Sequence, residues 1–287
     1  MDFTCLLAAL LFFTGNLILL VYYVNESNRE HFQIELYKDL NPQQIKDEWA
    51  WRIEHRAPYL AAGLINGLAW FFISFPLIQL AWILSHRGTR SLWMHIAIGV
   101  LALAGSVTEW ISRFLYMGSS MATQMLVNKF QLDNWIGQTN DGIGWRVLEV
   151  THVVVSGLIW FIDAFEWLAI FFIMTLVHVS VRRWRSWDAG SFGACWNAVG
   201  LFIALLSLLD FVAEVLRLDG FQTFADIAFW YASVNRLLLI PYWLIVLGRS
   251  LPYAALRLSH SGNPDNAPTN GENHDLSFAV EGGEEAK

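Results

Sequence analysis

A chain of 287 residues with 55% hydrophobic and only 15% charged side chains does not suit an ordinary soluble domain, in which about a quarter of residues are charged. Its formal net charge of −7, with no basic surface pattern, excludes a nucleic-acid binder. Cys5 and Cys195 both lie in apolar runs and offer neither a disulfide framework nor a zinc-finger spacing.

A mean hydropathy of +0.41 points to an all-α, polytopic membrane protein. Runs of about 18 or more apolar residues cross a membrane, because a helix rises ~1.5 Å per residue and the hydrocarbon is ~30 Å thick. Six runs qualify: 3–23, 58–85, 92–117, 147–179, 194–216 and 221–247. Together they predict one bundle over 1–257, followed by a polar, acidic tail over 258–287 that is expected to be disordered and cytoplasmic.

The first run lacks a basic leader and a small-x-small cleavage site, so it reads as an uncleaved span. The sequon Asn25-Glu26-Ser27 begins too near the bilayer to be glycosylated. In the loop 24–57, Asn41 and Pro42 form a helix start, and Ile45, Trp49 and Ile53 recur every four residues. That spacing predicts a short helix on the membrane surface or a lid on the bundle. Small residues in "AAGLING" (61–67) and "ALAGS" (102–106) suit close helix contacts.

Pro76 interrupts the second run and Pro241 the sixth. Broken helices flank many transport sites, although membrane helices also simply tolerate proline. The loop 118–146 is too polar for a seventh span and carries an amphipathic segment around 125–132.

Short arginine-rich segments set the orientation. Arg87 and Arg90, then Arg182, Arg183 and Arg185, then Arg249 and Arg257 are expected on one, cytoplasmic, side together with both termini. Tryptophans near the span ends, among them Trp51, Trp93, Trp145, Trp184 and Trp187, fit an interfacial belt.

The fourth run breaks its apolar character with Asp163 and Glu166. At ~100° per residue, Glu149, His152, Ser156, Asp163 and Glu166 share a sector of about 100°. A carboxylate facing lipid costs roughly 2.5–3.5 kcal/mol, so this stripe must face the bundle interior. Similar faces carry Ser106, Glu109 and Arg113 on the third run, Ser207, Asp210, Glu214 and Arg217 on the fifth, and Asp226, Ser233 and Arg236 on the sixth. The first two runs contribute only Asn16, Asn66, Ser74 and Gln79.

Internal salt bridges explain part of this set: Glu109 with Arg113 one turn away, and Arg236 with Asp163 or Asp210. Five interior acids, Glu109, Asp163, Glu166, Asp210 and Glu214, nevertheless face only Arg113 and Arg236. The surplus must be protonated, hydrated or neutralised by a bound species. Asp163 and Glu166 repel each other across one turn, so one of them is expected to keep a proton.

These features predict a transporter or channel-like protein that handles a cation or proton, or a substrate coupled to one, through an acidic cavity open to the outer side. Asp163 and Glu166 would form the central site; Glu109, His152, Asp210 and Glu214 the approach; Arg113 and Arg236 the tuning charges. Glu149-x-x-His152 also has the spacing of a metal-ligand pair, but no second such motif accompanies it.

Two alternatives remain open from the sequence. One is a non-catalytic scaffold or assembly subunit whose charges meet a partner membrane protein. The other is an embedded enzyme acting on a lipid-like substrate with carboxylates and His152. The expected surroundings are the lipid bilayer and a cation or proton, without nucleic acid, and no cofactor is specified. The lysines, Lys38, Lys46, Lys129 and Lys287, lie outside the spans and exclude a retinal Schiff base. A haem would depend on His95 pairing with His178.

Overall fold

The protein's computed structural model describes residues 2–27, 54, 56–85, 92–130, 143–183, 192–218, 227 and 230–261. Among these there is no strand. The helices are α1 (Phe3–Ser27), α2 (Arg56–Ser85), α3 (Leu92–Phe130), α4 (Ile143–Arg183), α5 (Ala194–Leu218) and α6 (Ile240–Ser261). A π-helical turn, Asn235–Leu239, leads directly into α6, and residues 230–234 before it are also helical.

Among the described residues, six segments are long and apolar enough to cross a membrane: Phe3–Val21, Leu60–Ser85, Leu92–Ser119, Val153–Val181, Ala194–Leu216 and Trp230–Leu256. The protein is therefore a multi-pass membrane protein by length and composition. Five of the six agree closely with the sequence reading. The sixth segment reaches Leu256 rather than residue 247, because helix propensity carries the chain through the polar positions Arg249 and Ser250.

The amphipathic stretch around Met125 proves to be continuous with α3 as far as Phe130. At 39 residues, α3 is ~58 Å long against a hydrocarbon of ~30 Å. α4 has 41 residues, so both helices project beyond the membrane at their connected end. The surface helix expected from Asn41, residues 221–226 and the tail from 262 onward lie outside the described residues.

Asp2 caps α1. Its Oδ1 accepts hydrogen bonds from the backbone N–H groups of Thr4 at 2.8 Å and Cys5 at 3.3 Å, and from the Thr4 hydroxyl. The Asp2 N–H donates in turn to the Gly248 carbonyl at 2.7 Å, tying the start of α1 to α6. A Cβ at Gly248 would stand 2.7 Å from the Cβ of Cys5, so only glycine permits this approach.

Each helix packs on its chain neighbour, and α6 with its π turn closes the ring between α5 and α1. Two distinct halves result. At the end carrying the arginine-rich loops, the interior is mostly apolar: Leu77, Leu80, Ile98, Ile173, Ile203, Trp243, Leu244 and Leu247 are all buried, with His95 and Ser180 as buried polar residues among them. Trp196 and Trp243 stack there, with centroids 4.7 Å apart, and the Trp196 indole donates to the Trp243 carbonyl at 3.1 Å. Toward the other end the buried set turns polar: Asn16, Asn66, Ser106, Glu109, Ser112, Glu166, Ser207, Asp210 and Asn235.

α3 and α4 meet along a seam of alternating three- and four-residue steps, the spacing of knobs-into-holes packing. On α3 the seam runs His95, Ile98, Ala102, Gly105, Glu109, Ser112, all of them buried. On α4 it runs Asp163, Glu166, Ile170, Ile173, Val177, Ser180, all buried except the half-buried Asp163. The opposite faces are apolar and exposed, with Val100, Leu103, Val107 and Ile111 on α3 and Leu158, Phe161 and Phe165 on α4. Those faces suit lipid contact.

A carboxylate cluster as candidate functional site

α3 and α4 bring three carboxyls to one place. One oxygen each of Glu109, Asp163 and Glu166 lies within 4.8 Å of the others. Glu109 and Glu166 are only 1% and 5% exposed. The spacing that put Asp163 and Glu166 on one face of α4 also turns both toward Glu109, because α3 runs antiparallel beside them.

Arg113 answers this charge from one turn beyond Glu109. Its Nε donates to Glu109 Oε1 at 2.8 Å and its terminal nitrogen to Oε2 at 3.4 Å. This is the ion pair expected from the sequence. The side chain reaches it by lying across Gly63 of α2, where a Cβ would meet Arg113 Cδ at 3.1 Å. Thus a glycine of the "AAGLING" stretch serves the site as well as packing.

Ser112 donates to Asp163 Oδ1 at 2.5 Å. Glu166 Oε1 is buried and accepts no hydrogen bond. Within the cluster, then, three carboxyls share one guanidinium and one hydroxyl, and Glu166 meets Glu109 through a carboxyl–carboxyl hydrogen bond. An ion pair removed from water is stable only when its remaining valences are satisfied, and Glu166 leaves one of them open.

The other acids fall on a second site, between α5 and α6. Ser207 donates to the Ile203 carbonyl at 2.8 Å, so its hydroxyl oxygen can only accept from Asn235 Nδ2, 3.1 Å away. That fixes the orientation of the amide and leaves Asn235 Oδ1 buried without a donor. Asp210, one turn along α5 from Ser207, is 4% exposed and its Oδ2 is likewise unpartnered. Glu214, the next turn on, acts electrostatically on both Asp163 and Asp210, and so stands between the two sites.

Arg236, expected to pair with Asp163 or Asp210, lies instead against an aromatic ring and leans toward the second of these acids. Its guanidinium carbon sits 4.2 Å from the centroid of the Trp167 ring, a cation–π arrangement. It acts electrostatically on Asp210, while its Nε makes no hydrogen bond. The π turn explains this placement. Proline lacks an N–H and its ring crowds the carbonyl four residues before it; ahead of Pro241 the chain widens, so that the Ile240 N–H bonds the Asn235 carbonyl. The wider turn redirects Asn235 and Arg236. At Pro76, by contrast, α2 continues without interruption.

Glu109, Glu166 and Asp210 are all buried within the bundle. Glu149 and His152 lie on α4, but their side chains, like that of Arg217, fall outside the described residues, as does Asp226. His178 Nδ1 lies 3.3 Å from the Asn197 carbonyl of α5, and His95 is buried on α3. Asn16 and Asn66 satisfy each other across α1 and α2 at 3.3 Å and take no part in the acidic sites.

Ser112, Asn235 and Trp167 were missed by sequence reasoning. Ser112 follows Glu109 by one seam step, a signal available in the 3-and-4 spacing. Asn235 was hidden by the π turn, which breaks α-helical periodicity. No protein family, curated protein or solved structure matches this chain.

Proposed function

We propose that the protein moves protons or cations across its membrane, alone or coupled to a substrate, with Asp163 and Glu166 as the central exchange site. The observation that carries this reading is the carboxyl trio of Glu109, Asp163 and Glu166, enclosed in the bundle with a single guanidinium and an open acceptor on Glu166. Intramembrane acids are costly and mark ion or proton pathways when they face a bundle interior.

Arg113 neutralises Glu109 and leaves the two α4 acids to exchange their counter-charge. Asp210 and Glu214 on α5 extend the acidic row sideways, and Arg236 tunes it from α6. Under this reading the arginine-rich loops face the cytoplasm. The packed tryptophans and aliphatic side chains at that end then hold the pathway shut in this conformation.

The test is flux in proteoliposomes. Asp163→Asn combined with Glu166→Gln removes both exchangeable charges with little change of shape, and flux is expected to fall to the level of empty vesicles while the protein stays folded. Wild-type flux in this double variant would remove the proposal.

A further inference from the structure

The seam between α3 and α4 is polar at both ends. From the carboxyl trio, the register set by Ser112 with Asp163 and by Glu109 with Glu166 can be followed inward. Continued at the same spacing, that register pairs Gly105, which also abuts Trp70 of α2, with Ile170, Ala102 with Ile173, and Ile98 with Val177, three apolar layers in succession. The next layer of the same register is His95 with Ser180, which make no hydrogen bond to each other. His95 is 2% exposed and Ser180 1%.

Neither His95 ring nitrogen nor the Ser180 hydroxyl has a hydrogen-bond partner. A neutral imidazole always carries one N–H donor and one bare acceptor nitrogen, and buried polar groups without partners are costly. Among the described residues no charged group faces His95. Burial is the one influence its surroundings exert on the ring. Packing alone would place a leucine here, as it does elsewhere in this half of the bundle.

We propose that His95 with Ser180 is a second proton station, at the arginine-rich end of the seam whose other end is the carboxyl trio. This inference rests on the proposed function and narrows its cargo to the proton. Carboxylates hold protons and hard cations alike, but an imidazole nitrogen is a poor ligand for alkali cations. One nitrogen and one hydroxyl are also too few to hold a transition metal. The proton is the cargo that both ends can carry.

Glu109 and His95 are 14 positions apart in the sequence, or ~21 Å along α3. Transfer therefore requires water to enter the three apolar layers when α3 and α4 part. A carboxyl O–H then gives its proton through that water to the bare imidazole nitrogen, leaving carboxylate and imidazolium. Water on the arginine-rich side takes the proton from the imidazolium as hydronium and restores the neutral ring. While the seam is closed, the dry layers prevent leakage.

The full-length protein in liposomes containing a pH-sensitive dye tests this under a potassium diffusion potential. His95→Gln keeps the size and polarity of the side chain but cannot take up a proton. Proton flux is expected to fall roughly a hundredfold, the low end of what a positioned proton carrier contributes, with an unchanged melting temperature. Wild-type proton flux in His95→Gln, with flux lost in the Asp163→Asn, Glu166→Gln variant, overturns this inference and leaves the proposed function standing. Loss in neither variant removes both. A wild-type flux carried by sodium or potassium and indifferent to the pH gradient overturns the proton assignment alone.

If His95→Gln does not fold, Ser180→Cys in a Cys195→Ser background carries the test. A membrane-impermeant thiol reagent applied from the arginine-rich side is expected to modify Cys at that position and stop proton flux. A thiol inert during turnover shows that water does not reach this layer and overturns the inference.

Discussion

The two halves of the α3–α4 seam use the same spacing and opposite chemistry. In the apolar layers, the buried Ile98 and Ala102 of α3 and Ile173 and Val177 of α4 hold the helices together through shape, since lipid tails are as apolar as these side chains and close packing is what remains to favour contact. In the polar layers, Glu109, Ser112, Asp163 and Glu166 hold the same two helices through charge and hydrogen bonds, at the expense of desolvation. The comparison teaches that one packing geometry can carry either a seal or a site. The seam fixes where side chains meet; residue type decides whether that meeting can release its ligand.

The contrast is broken most directly at Arg113. Arg113→Met leaves Glu109 buried without its guanidinium, and a loss of about 3–5 kcal/mol is expected, measured by unfolding in detergent. Adding Glu109→Gln should recover most of it. If Arg113→Met melts like the wild type, the polar layers are not an electrostatically connected unit.

A smaller effect is expected in the dry half. Ile173→Ala opens a cavity opposite Ala102 and should cost about 2–4 kcal/mol, with no rescue from any charge change. Rescue by a larger residue at Ala102 would sharpen the register. Failure of Ala102→Val to recover any stability would argue that the two residues do not share a layer.

The smallest effect belongs to the tryptophan stack. Trp196→Phe keeps the ring but removes the bond to the Trp243 carbonyl, and about 0.5–1.5 kcal/mol should be lost. A much larger loss would mean that the dry half depends on hydrogen bonding as heavily as the polar half does.

Much of the fold was legible before any coordinates. The first five spans follow from apolar runs, because hydrocarbon forces each segment to satisfy its own backbone hydrogen bonds as a helix. The inward stripe on α4 followed from the penalty on lipid-facing carboxylates, and the Glu109–Arg113 pair from one-turn spacing. The length of α3 was harder to read. Its last turns, around Met125, are polar enough to resemble a loop, and helix continuity depends on backbone propensity as well as hydropathy.

The candidate site was legible as a set of residues but not as an arrangement. The sequence grouped Asp163 and Glu166 with Glu109, Asp210 and Glu214 alike, yet the structure joins the first two to Glu109 alone and leaves Asp210 one turn from the Ser207–Asn235 pair. Arg236 could be assigned to an acid by charge alone; only the π turn ahead of Pro241 places it over Trp167.

What the chain determined on its own is local: which segments must be helical in a membrane, and that its acids must turn away from lipid. Both follow from the free energy of exposing a polar group to hydrocarbon, which each segment meets separately. Tertiary structure alone decided the neighbours. The order of helices around the ring, the antiparallel register that sets Ser112 against Asp163, and the glycine at 63 that lets Arg113 reach Glu109 all depend on side chains far apart in the chain fitting together. No periodicity within one helix encodes that fit.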